Sequence, residues 1–311
     1  MRKIIFVDTN IFLRFYDSNN REYKKMLKTL LSLKEFIFTP YQIKYEIDRN
    51  KVEIFKNSFE SYIKQATLFN NITLPEHLDN STETLISNWN TDRKEIIKLV
   101  KDSNKKLVDL FEKKLQNIAK SEDEVSKTIA KIFNSPKDYT NAEFLSAKIR
   151  KERGNPPGKT NDPLGDEIIW EQLLTIIGGY QELYIISNDY DYLISYENKS
   201  YLNPILFEDL KVKAHKLKVF SFQTLSDAVI YLSKNSPELI KDLPTEKELK
   251  TISKVEAELI ETEYPKILEK TPDSRFDELQ RLEYMKRHNL IRTDEYQSRL
   301  MKLGVFNNLP K

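Results

Sequence analysis

Asp8, Glu46, Asp166 and the pair Asp189 and Asp191 are far apart in the chain, yet each stands where a strand ends or a helix begins. In "IIFVDTNIFL" an apolar strand delivers Asp8 at its end, and the polar Thr9 and Asn10 follow it. In "TPYQIKYEI" Thr39 reads as an N-cap and Pro40 as the first helical residue, which puts Glu46 in the second turn. "GDEIIWEQLL" opens a helix with Asp166, and in "LYIISNDYDY" Asp189 and Asp191 follow the strand Leu183 to Ser187. Singly, each acid has a plain structural reading: Asp8 as a helix cap, Asp166 and Asp189 as caps or turn formers, Glu46 as a solvent-facing helix residue. Together they suit one chemistry. Carboxylates gathered on one rim repel each other and need a cation. Hard divalent ions such as Mg²⁺ or Mn²⁺ take oxygen ligands, keep waters, and both activate water and bind phosphate oxygens.

The elements around these acids are those of an α/β fold. After the strand Ile4 to Val7, helical spacing runs from Glu22 to Leu33, and a short strand, Phe36 to Phe38, precedes the helix starting at Thr39. From about residue 52 to 151 strand signals nearly vanish. Ile96, Ile97, Val100, Leu107, Leu110 and Leu115 mark one broad face there, which predicts a helical hairpin packed on the sheet. Alternation returns after "KIRKERGNPPGKTNDPLGD": a helix from Glu167 to Ile177 ended by Gly178 and Gly179, the strand before Asp189, then a last strand and helix in "HKLKVFSFQTLSDAVIYL". This pattern predicts a parallel sheet. Ligands of such sheets bind outside the carboxyl ends of the strands, the rim all these acids would share. The expected organisation is an α/β domain over 1–232, with a helical insertion at about 52–151, and a helical C-terminal region over 233–311.

Composition narrows the chemistry. The absence of cysteine excludes disulfides, thiolate metal sites and cysteine nucleophiles, and three scattered histidines support neither a histidine metal site nor a Ser-His-Asp triad. Charged residues make up 32% and the net charge is +2, so an anionic partner would need a local basic patch. No signal-peptide core and no membrane-span run is present, and a cytoplasmic location is expected.

The motifs resemble those of PIN-domain nucleases. "FVDTNIFL" is similar to the family's opening motif, "TPYQIKYEI" to its second acidic motif, and "GDEIIW…LYIISNDYDY" to its third and fourth, over roughly Met1 to Leu232. The wide helical spacing between the second and third motifs resembles a bacterial PIN-like group with a long insertion. The resemblance implies a Rossmann-like, three-layer α/β/α fold and Mg²⁺- or Mn²⁺-dependent cleavage of RNA, less often of DNA. It also implies that Asp8, Glu46 and Asp166 bind metal and that Asp189 completes the set, with Asp191 as neighbour or substitute. Thr9, Asn10 and Ser187 fall on polar positions beside the acids; Ser187 and Tyr192 stand where Thr and Phe are usual. The implied reaction uses no protein nucleophile: water activated by the cation attacks the phosphate in line, and Asp8 or Asp166 accepts its proton. A toxin-like or phage-defence role is a prior attached to the fold.

A polyanion approaching several acids needs basic guides. Lys148, Arg150, Lys151, Arg153 and Lys159 lie just before Asp166, in a stretch whose glycines and prolines predict a mobile loop; Arg14 and Arg49 are lesser candidates. Tyr190, Tyr192 and Trp170 are candidates for stacking on bases. Two rival readings remain: a DNA-directed, structure-specific nuclease using Glu167 and Asp162 for a second ion, and a catalytically inactive scaffold binding nucleic acid or protein. The C-terminal helices are candidates for self-association or a partner protein.

Overall fold

The computed structural model describes residues 2–18, 22–66, 83–158, 163–196 and 199–256. The chain divides into two compact units, Met1–Ser253 and Lys254–Lys311, and nearly all of the second, including the C-terminal helices read from the sequence, lies outside the described residues. Residues 233–253 therefore belong with the sheet unit, beyond the expected boundary at 232. The reason is local: the Lys3 ammonium donates to the Ser236 hydroxyl at 2.6 Å and the Glu238 carboxylate at 3.0 Å, and Leu239, Leu249 and Ile252 join the core.

Three parallel strands, β1 (Lys3–Val7), β2 (Glu182–Ile186) and β5 (Lys218–Phe222), form a sheet in the order β1-β2-β5. Its register pairs Ile5 with Tyr184 and Tyr184 with Phe220, and pairs Phe6 with Ile185. Side chains alternate between faces along a strand, so each set points one way. Tyr184, Phe220 and Phe222 meet Tyr231 of α9 (Leu225–Asn235) on one face. On the other, Phe6 packs 5.3 Å from Tyr192, which packs edge-on at 6.1 Å against Trp170 of α7 (Gly165–Ile176). Helices cover both faces, giving the expected three-layer α/β/α architecture with a parallel sheet.

Several details depart from the sequence reading. Phe36 to Phe38 makes only a single parallel bridge, Ile37 with Ile5, formed by the Ile5 N–H to the Phe36 carbonyl and the Phe38 N–H to the Ile5 carbonyl. An antiparallel hairpin of β3 (Leu193–Tyr196) and β4 (Lys199–Leu202) follows the last acids, ahead of α8 (Pro204–Lys213). In the stretch read as an insertion, α4 (Glu83–Ala119) packs along α3 (Tyr41–Ala66), where Phe111 stacks 3.7 Å from Phe59. Ile96, Leu107 and Leu110 of its apolar face are exposed. Two shorter helices, α5 (Glu124–Ile132) and α6 (Asn141–Glu152), complete the insertion; α1 (Thr9–Asp17) and α2 (Tyr23–Ser32) precede it. Among the described residues no helix is long and apolar enough to cross a membrane.

Arg150 of α6 ties this insertion to the domain. Its guanidinium bonds Glu171 of α7 at 2.8 Å, Asp209 of α8 at 2.8 Å and the Pro156 carbonyl at 2.7 Å, and the residue is 8% exposed. Removing one member of a buried ionic set strands the others. Arg150→Ala is expected to cost about 3–5 kcal/mol in urea unfolding, whereas Lys148→Ala, on the exposed side of the same helix, changes stability by less than about 0.5 kcal/mol.

Candidate functional site

Asp8 follows β1 directly. It sits at the N-cap position of α1 with extended backbone, yet its side chain makes no capping bond. Continuing the β1–β2 register by one residue brings Asp8 opposite Ser187, and the Ser187 hydroxyl donates to Asp8 Oδ2 at 2.6 Å. The same Ser187 oxygen accepts from the Asp189 backbone N–H at 3.0 Å. Ser187 thus links two candidate acids, and it is completely buried.

Glu46 reaches this end of the sheet from α3. Ile43 and Ile47 bury that helix in the core, and the turn between them turns Glu46 toward the sheet. Its carboxylate accepts from Thr9 Oγ1 at 2.9 Å and from Gln42 Nε2 at 2.8 Å. The Thr9 hydroxyl therefore steadies Glu46 and the Ser187 hydroxyl holds Asp8; Asn10 is exposed. Asp166 lies one turn before the fully buried Trp170 on α7, and so on the face turned to the sheet. The start of α7 touches Glu46: a Cβ added at Gly165 would stand 2.1 Å from Glu46 Oε1 and 3.0 Å from Gln42 Nε2.

The electrostatics report the convergence. Burial, then the charges of Asp189 and Glu46, push the Asp8 carboxyl up to about 7, against the bond from Ser187. Asp166 is driven well above the ordinary carboxylate range by burial and by Asp8, Glu46, Asp189 and Glu167. Beneath them Tyr192 is buried, its phenol pushed upward by burial and by the charges of Asp166, Asp8, Asp189 and Glu46. Among the described residues that phenolic oxygen has no hydrogen-bond partner.

Asp191 and Glu167 are engaged differently. Asp191 Oδ2 accepts from the Gly158 N–H at 3.3 Å, while its own N–H donates to Asp189 Oδ1 at 2.9 Å. Glu167 is 1% exposed and accepts from the Lys151 ammonium at 3.3 Å. Gly158, at φ +115°, lies so close to Glu167 that a Cβ would fall 2.1 Å from Oε1. Of the basic guides, Lys148, Arg150 and Lys151 ride on helix α6, and the loop begins only after Glu152. Lys148 and Arg153 are exposed, Arg150 is the inward strut already described, and Lys159 and Asp162 lie outside the described residues. Arg14 is buried and Arg49 exposed. Trp170 and Tyr192, read as base-stacking candidates, are core residues at 0% and 1% exposure, closed off by Phe6 and by each other. Gln42 and Gly165 went unremarked in the sequence, although Gln42 stands four residues before Glu46, the spacing that makes helical neighbours.

The chain matches the PIN domain family over residues 5–192 and belongs to it. The fold is of nuclease type, its members generally use divalent metal ions, and its substrates are nucleic acids. No curated protein and no solved structure matches the chain.

The donor set suits such an ion in type: hard carboxylate oxygens, with Asp8 and Asp166 raised in proton affinity by burial and by neighbouring acids, over an orphaned phenol. As the side chains lie, among the described residues no three potential ligands are close enough to share one ion. Thr9 and Gln42 hold Glu46 and Ser187 holds Asp8, bonds that leave further acceptor positions on both carboxylates.

Two outcomes follow from this geometry. Between about pH 4 and 7 the native chain keeps on Asp8 a proton that the unfolded chain has released. Stability of the metal-free protein therefore falls as pH rises through that window. Asp8→Asn is expected to raise the thermal midpoint above wild type at pH 8, with the gap closing toward pH 4. In Gly165→Ala the new Cβ displaces the flexible end of Glu46 rather than backbone. The unfolding midpoint should move little, while Mn²⁺ affinity by calorimetry falls about 10- to 100-fold, as when a ligand loses its support.

Proposed function

We propose that the chain is a Mg²⁺- or Mn²⁺-dependent endoribonuclease whose ion-holding set is Asp8, Glu46, Asp166 and Asp189. The observation that carries this reading is the meeting of these elements at the carboxyl end of a parallel sheet, where Ser187 joins Asp8 to the Asp189 turn and Thr9, next to Asp8, joins Glu46. RNA is the substrate class favoured by the family resemblance.

A bound divalent cation supplies charge neutralisation for phosphate oxygens and a water acidified toward neutral pH. The chain's own residues do the rest. Ser187 holds Asp8 and, through the Asp189 N–H, sets the turn that presents Asp189. Thr9 and Gln42 hold Glu46 from two sides. Asp8 or Asp166 accepts the proton of the attacking water. Asp191 acts as neighbour to Asp189, tethering Gly158 of the loop. Exposed Lys148 and Arg153, with Lys151 and Lys159, guide the phosphate backbone.

Purified protein is to be incubated with single-stranded RNA and DNA in Mn²⁺, Mg²⁺ or chelator, beside Asp8→Asn. Cleavage of RNA in Mn²⁺ or Mg²⁺, abolished by chelator and reduced at least about a hundredfold in the variant, is the expected result. Activity that persists in chelator or in the variant would sink the mechanism, and faster cutting of DNA would reassign the substrate.

A further inference from the structure

Two exposed rings lie on the acid-bearing helix α3 itself. Tyr41 and Tyr45, one turn apart on α3, are 46% and 49% exposed, and their rings stand 6.5 Å apart at an interplanar angle of 26°. Arg49 continues the stripe, its guanidinium carbon 5.9 Å from the centre of the Tyr45 ring. This stripe borders the one carrying Gln42 and Glu46, so it is continuous with the candidate site. The start of α3 is joined to a second segment. Pro40 bridges to Lys137, and the Tyr41 N–H donates to the Lys137 carbonyl at 2.8 Å. Two residues further on stands Tyr139, whose ring pairs with Phe144 at 5.8 Å and 24°, both about two-fifths exposed. Exposed Lys137, Lys148 and Arg49 lie on the same segments.

Tyrosine is a poorer helix former than alanine, leucine or lysine, so local propensity does not account for two of them on an exposed face. Near-parallel rings with a guanidinium at one end offer what a single strand presents: base faces for stacking and phosphates for the cation. In a duplex those faces are covered by neighbouring pairs. Charged Lys44 and Asp48 flank the two rings and Arg49 ends their stripe, unlike the continuous apolar core of a stable protein interface.

We infer that Tyr41, Tyr45 and Arg49, extended by Tyr139 and Phe144, form a stacking platform that receives unpaired bases of a single-stranded nucleic acid beside the acids. This rests on the nuclease reading for the identity of the partner and narrows it to unpaired substrate.

The test is read as binding, in chelator, so that it does not depend on cleavage. Fluorescence anisotropy is measured with a labelled oligo-U strand, an abasic strand of equal length and a hairpin duplex. Wild type is expected to prefer oligo-U over both by about tenfold or more. The double variants Tyr41→Ala with Tyr45→Ala, and Tyr139→Ala with Phe144→Ala, should each lose about tenfold on oligo-U and little on the abasic strand. Tyr41→Phe with Tyr45→Phe should keep wild-type affinity. A wild type without preference, unchanged binding in both alanine pairs, or equal losses on the abasic strand would overturn the platform. So would sedimentation in which the alanine pairs turn a dimer into a monomer without altering the preference for oligo-U. Failure of wild type to cleave any strand in Mn²⁺, with these preferences intact, would remove the nuclease reading alone.

Discussion

Gathering carboxylates at one end of a parallel sheet, where burial and like charge both resist ionisation, is the constraint on which this fold depends. Asp8 is 3% exposed, and the groups that press hardest on Asp8 and Asp166 are burial and the other acids. Such a site opposes folding of the ionised chain, so the elements that hold it must be anchored elsewhere. They are: β1 and β2 are apolar and buried after their first residue, α3 is fixed by Ile43 and Ile47, and α7 by Ile169, Trp170 and Leu173. Each acid stands within three residues of such an anchor.

The polar bonds run between elements rather than within them. Ser187 of the turn after β2 reaches Asp8 after β1, and Thr9 of α1 reaches Glu46 of α3. Gly165 of α7 leaves room for that same carboxylate. Displacement of one acid is therefore felt by the partner that holds another. Rigid elements with cross-element bonds place a constellation more accurately than loops do, which fits a site whose members come from positions so distant in sequence.

Legibility in the sequence followed the period of the signal. Strands with acids at their ends, helix starts at Thr39 and Asp166, and the helical insertion all rest on local pattern and were readable. What was not readable depends on register and on tertiary choice. The serine opposite Asp8 is fixed by how β1 and β2 align, which no single segment encodes. Arg150 looked like a basic guide because its charge is visible, while its partners Glu171 and Asp209 lie in other elements. Trp170 and Tyr192 looked available for bases because an aromatic ring carries no sign of burial in its type. The apolar residues of α4 illustrate the converse, a clean periodic face that the sheet never covers.

The neighbouring acids show how position separates roles that residue type leaves equal. Asp191 lies two residues from Asp189, and Glu167 lies directly after Asp166. Yet Asp191 accepts from the Gly158 backbone, and Glu167 accepts from Lys151 beneath that same glycine. Asp191 fastens Gly158 and Glu167 fastens Lys151 of α6, and Gly158, at φ +115° with no space for a Cβ, is the residue that lets the loop come so close. Within the glycine-proline stretch that reads as a mobile flap, Pro156 is thus bonded to Arg150 and Gly158 to Asp191. Because Gly158 and Asp189 are both bonded to Asp191, the described part of the loop is joined through one residue to the turn that carries Asp189.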